Sequence, residues 1–69
     1  MKPLSVEMVL ARLKLNERQV LIMRDIERLG FAEIAKAMGS TEKVAKMLYR
    51  STRDKARKIA TEMENHETE

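Results

Sequence analysis

Residues 43–58 read KVAKMLYRSTRDKARK, with seven Lys or Arg against a single Asp. Wound as an α-helix at about 100° per residue, the stretch sorts into two faces. Lys43, Lys46, Arg50, Arg53 and Arg57 recur at steps of three and four and form a basic stripe. Ala45, Leu48, Tyr49, Thr52, Ala56 and Ile59 recur with the same period on nearly the opposite side. The second stripe suits a protein core, and the first suits a negatively charged partner.

The rest of the chain must supply that core from little material. Its 69 residues allow one small domain, and the absence of Cys excludes both a disulfide framework and a thiolate metal site. An apolar fraction of 43% with 36% charged residues fits a compact helical domain with a solvated surface. One Phe and one Tyr against six Met make the core aliphatic and adaptable. One Pro and two Gly leave few breaks, which favours helices over a turn-rich β-domain. The net charge of +3 hides an asymmetry: residues 1–61 hold all fourteen bases and seven acids, whereas 62–69 hold four Glu and no base. A basic body points to a polyanion. No apolar run approaches the roughly 18 residues needed to span a bilayer, so no membrane role is expected. The N-terminus lacks an apolar segment of the secretory kind, and the expectation is a cytoplasmic protein.

Spacing predicts four helices. Ser5 is placed to cap a first helix over about 5–14, carrying Val6, Val9, Leu10 and Leu13. Asn16 opens a second, with Gln19 as the reciprocal member of a capping box. Val20, Leu21, Ile22, Met23, Ile26 and Leu29 nearly encircle it, which suits a central helix. Gly30 is expected to end it in the left-handed conformation. A third helix spans about Ala32 to Met38 and stops at Gly39. Ser40 or Thr41 caps a fourth, with Glu42 in its first turn, running to about Thr61. The acidic tail, 62–69, is expected to be disordered.

Ile34-Ala35, then Met38-Gly39, then a capped helix with Ala45 and Leu48 is helix-turn-helix spacing, placed within residues 31–50 of a 1–61 domain. The Ala lets two helices cross closely, the Gly makes the tight turn, and the later apolar residues seat the second helix. That second helix is the one such domains lay in the major groove. On Val20-Leu21-Ile22-Met23-Arg24-Asp25 with Ile26, Phe31-Ala32-Glu33-Ile34-Ala35, and Thr52-Arg53 with Ala56 and Ile59, the stretch of about 15–59 resembles region 4 of bacterial sigma factors. LuxR-type DNA-binding domains share the Glu33-Ile34-Ala35 element. Three positions depart from the family pattern. Ser40 stands where an apolar turn residue is common, and Gly30 where Ser or Thr often caps. Ala45 stands where Val or Ile is usual, so that Val44 is the alternative inward residue, one step out of register.

The resemblance implies an all-α, small three- to four-helix fold and recognition of a promoter element in double-stranded DNA. Glu42, Lys43, Lys46, Met47 and Arg50 occupy the outward face of the fourth helix's first half and are the expected base readers. Lys or Arg donates to guanine, Glu accepts from cytosine, and Met packs on a thymine methyl. Filler packing is the alternative for Met47, as for Met23 and Met38. Arg53 and Arg57, further back, are expected on phosphate, together with Ser40, Thr41 and Lys36. Capping alone is the competing role of Ser40 and Thr41, and solvation that of Lys36. Arg18 and Gln19 lie where the family sometimes touches phosphate.

The expected function is a sequence-specific transcriptional regulator resembling a free-standing sigma region 4. Nothing resembles region 2, so the chain is not expected to start transcription alone. The alternative is a co-regulator or decoy that contacts RNA polymerase or an anti-sigma-type partner. A homodimer reading half-sites about 34 Å apart competes with a self-contained monomer. No nucleophile with a base, no carboxylate pair and no phosphate loop suggests an enzyme, and no cofactor or metal is expected. His66, alone in the acidic tail, reads as a solvated side chain.

Overall fold

The computed structural model describes residues 6–67, with side chains described for 7–63. The fold is all-α, with no strand among the described residues. Helix α1 spans Val6–Leu10 and α2 spans Leu15–Leu21, continued by a π-helical turn over Ile22–Ile26. Helix α3 spans Phe31–Met38, and α4 runs from Glu42 to Glu67.

The helix ends differ from expectation in four places, each with a local cause. Helix α1 stops at Leu10, short of residue 14. Beyond it, Arg12 N–H donates to the Val9 carbonyl and Leu13 N–H to that of Leu10, both at 3.1 Å. These tighter bonds turn the chain so that Leu13 is buried. The cap expected at Ser5 lies outside the described residues. Helix α2 is capped by Lys14, whose backbone N–H donates to Glu17 Oε1 at 2.8 Å. Glu17, not Gln19, therefore supplies the reciprocal bond, and Gln19 is exposed. A carboxylate three residues after the cap both accepts that bond more strongly and favours the positive end of the helix.

The third correction concerns Gly30. The π turn lodges an extra residue, with Glu27 N–H on the Ile22 carbonyl at 2.9 Å and Leu29 N–H on that of Met23 at 2.8 Å. The chain thus reverses early, and Arg28 takes the left-handed conformation at φ 61°. Gly30 is extended, at φ −74°, and caps α3 by donating its N–H to Glu33 Oε1 at 3.1 Å. Gly39 does adopt the left-handed form, at φ 66°. Its N–H reaches the Lys36 carbonyl and that of Ser40 reaches Ala35, which closes α3 in a Schellman turn.

The fourth correction is the length of α4, which continues to Glu67 instead of stopping near Thr61. The change from basic to acidic residues does not break a helix, since 57–67 contain neither Gly nor Pro and include good helix formers. Residues 68–69 and the side chain of His66 lie outside the description.

Val20, Ile34, Ala35 and Ala45 form the buried centre, with Met23, Leu29, Phe31, Met38, Leu48 and Tyr49 packed around it. Val20 and Ile34 have no exposed surface, and burying each contributes roughly 1.5–3 kcal/mol. Ile59 and Thr52 are also buried, so the inward stripe read from the sequence is the seam along which α4 rests on the other helices.

Candidate nucleic-acid interface

The register of α4 fixes what the molecule presents to a partner. Ala45 is 2% exposed whereas Val44 is 50% exposed, so Ala45 is the inward residue and the one-step shift does not occur. Small Ala suffices at this position because α3 crosses closely with Ile34 and Ala35. Thr41 is the cap: its Oγ1 accepts the Val44 N–H at 3.2 Å, and its carbonyl accepts the Ala45 N–H at 2.9 Å. Ser40 belongs to the preceding turn.

With that register every proposed contact residue faces solvent. Glu42, Lys43, Lys46, Met47 and Arg50 are exposed on the first half of α4. Arg53 and Arg57 are exposed further along, Ser40 and Thr41 at the helix entry, and Lys36 on α3. Met47, 60% exposed, is not core filler, whereas Met23 and Met38 are partly buried against the core. Arg50, Arg53 and Arg57 line a shallow cleft with Asp54, of about 250 Å³. Arg18 departs from this outward group, being half-buried with a shielded Nε that lacks a partner.

Behind the basic face lies a network that sequence reasoning did not assemble. The Tyr49 hydroxyl donates to Asp25 Oδ1 at 2.6 Å, joining α4 to the π turn. Phe31 meets the Tyr49 ring edge-on, centroids 5.5 Å apart. Arg24 stacks on Phe31 at 4.3 Å and donates to the Leu29 carbonyl at 3.0 Å, while Arg53 lies 5.8 Å from the Tyr49 ring. Burial first, then the Asp25 carboxylate, raises the pKa of Tyr49 above its ordinary 10.0. The usable signal was a Tyr on the inward stripe, since a phenol turned toward the core needs a partner.

A second tie joins α2 to α4. Lys55 Nζ donates to Glu17 Oε1 and Oε2 at 3.1 and 3.4 Å. Acceptance of the Lys14 N–H holds the Glu17 carboxyl below its ordinary range, against an opposing effect of burial and with a further contribution from Lys55. Together the two ties anchor α4 to α2 and the π turn.

Residues 4–54 match the family model described as Sigma-70, region 4. The chain belongs to the sigma-70 region 4 family. No curated protein and no solved structure matches it significantly. Region 4 modules are DNA-binding helix-turn-helix domains that work with RNA polymerase and have no catalytic role of their own. The match ends at residue 54, so Arg57 and the later turns of α4 lie beyond it. Among the described residues of this region 4 chain, no helix is long and apolar enough to cross a membrane.

Proposed function

We propose that this region 4 chain is a sequence-specific regulator of transcription, acting in the cytoplasm by laying residues 41–53, the cap and first half of α4, in the DNA major groove. Glu42, Lys43, Lys46, Met47 and Arg50 meet the base edges, and Lys36, Ser40, Thr41, Arg53 and Arg57 hold the sugar–phosphate backbone. One observation carries the reading. Ala45, Leu48 and Thr52 turn inward on the same helix whose Lys43, Lys46 and Arg50 stand in solvent. A merely solvated amphipathic helix would mix its charges, whereas 43–58 has one acid among seven bases. Selection from a random duplex pool is the test. A preferred sequence is expected, and its symmetry reports whether one copy or two bind; retention that depends on salt alone overturns the proposal.

A second reading has its own supporting observation. Val9, Leu10, Leu21, Ile22, Ile26 and Ala56 line an apolar groove of about 350 Å³, rimmed by Asp25 and Arg57. Such a groove suits a partner's apolar side chains. Given the family, RNA polymerase is the proposed partner, and the chain then acts as a co-regulator or decoy. Binding to purified polymerase, weakened by Ile22→Asp, is expected on this reading; capture insensitive to that change counts against it.

A further inference from the structure

On the first half of α4, one flank of the outward face carries no charge, up to Ser51 and short of Asp54 and Lys58. Val44 and Met47, three residues apart, lie one turn from each other with side chains about 5–6 Å apart. They are 50% and 60% exposed, while Ala45 and Leu48 between and beside them fill the helix seam. Ser51 continues this flank, and its hydroxyl turns back to donate to the Leu48 carbonyl at 3.1 Å. No N–H or O–H donor is therefore directed outward from the flank. Lys43, Lys46 and Arg50 border it on the other side of the same exposed face.

Both apolar side chains leave half or more of their surface in solvent, and Val is a weaker helix former than the Lys or Glu that solvent would favour there. Duplex DNA offers one apolar group on the major-groove edge of its bases, the C5-methyl of thymine. The neighbouring cations Lys43, Lys46 and Arg50 suit the acceptor groups on the base edges beside that methyl, which favours DNA over an uncharged apolar partner. We infer that Val44 and Met47 together form a 5-methylpyrimidine reader. They cover the C5-methyl of thymine, and equally that of 5-methylcytosine, so binding weakens where the methyl is missing. This rests on the DNA-binding reading above, and adds Val44 to the contact surface along with a chemical requirement on the site.

The test uses the full chain and the duplex recovered from random selection, at one fixed salt concentration. Each thymine is replaced singly by deoxyuridine, which differs only by the methyl group. At one or two positions affinity is expected to fall roughly fourfold, the effect of leaving one methyl unburied. Replacing cytosine by 5-methylcytosine at a position that accepts it is expected to raise affinity similarly. The Val44→Ala/Met47→Ala variant is expected to bind the thymine and deoxyuridine duplexes alike. Its fold is preserved because both side chains are exposed and Ala favours the helix, which circular dichroism checks. Equal affinity of the wild-type chain for every deoxyuridine duplex, with the site still preferred, overturns the inference alone, as does an unchanged ratio in the variant. Failure to select any site overturns the DNA-binding reading and this one with it.

Discussion

Thr52 is wholly buried, yet its hydroxyl has no hydrogen-bond partner. An unpaired buried hydroxyl costs about 1–3 kcal/mol, and Val has nearly the same shape without it. Thr52→Val is therefore expected to stabilise the fold by about 1 kcal/mol, a rise of roughly 4–8 °C in Tm by thermal denaturation. Tyr49 makes the opposite case, because its hydroxyl has a partner in Asp25. Its pKa is raised on folding, so the unfolded chain ionises first as pH climbs past 10.0. The stability it contributes is complete below that pH and is lost as pH rises through the folded value. Denaturant midpoints should decline above pH 10 in the wild type and decline less in Tyr49→Phe. At neutral pH that variant should lose about 1 kcal/mol from the missing bond. Both residues were legible as members of the inward stripe. The partner of Tyr49 was not, since Asp25 reaches it only through the π turn, and residue periodicity assumes a regular helix.

At the scale of the element, the helix stops show what a sequence encodes poorly. Gly39 was legible because glycine after an apolar helical face is the common left-handed stop, and φ is 66° there. Gly30 gave the same signal for a different reason, and the left-handed position fell to Arg28. The two glycines should respond differently to substitution. Gly39→Ala is expected to destabilise by about 1 kcal/mol, because a Cβ is strained in that conformation. Gly30→Ser should stabilise by about 0.5 kcal/mol, since its backbone is extended, a Cβ has room, and Ser adds a cap. Chemical denaturation of the two variants distinguishes these outcomes, and a loss at Gly30 as large as at Gly39 counts against the assignment. The length of α4 is not legible in its charge pattern, because a change in the sign of charge does not end a helix.

At the scale of the whole molecule, the basic face should show itself as salt dependence. Each phosphate neutralised contributes about 0.9 to the slope of log affinity against log salt. Arg57→Ala should weaken binding to all duplexes alike and reduce that slope by about one. Lys43→Ala or Arg50→Ala should instead reduce discrimination between bases by about 1–3 kcal/mol at the position each reads. Titrations at several salt concentrations, with matched and mismatched duplexes, separate the two roles. The outward placement of the seven proposed contact residues on α4 was legible from its period, whereas Ser40 and Thr41 lie at the helix entry and Lys36 on α3. The apolar groove was not, because it forms only where α1, the π turn and α4 converge.

Arg57 stands on the border of two surfaces, the arginine-lined cleft and the rim of the apolar groove. Its guanidinium is a single resource for both. An occupant of the groove that draws it across by a carboxylate takes it from the nucleic acid. Thermodynamic reciprocity then requires the duplex to loosen that occupant by the same factor. An acidic guest would thus act as an antagonist of promoter binding without touching a base, and Arg57→Ala would make the two ligands indifferent to each other.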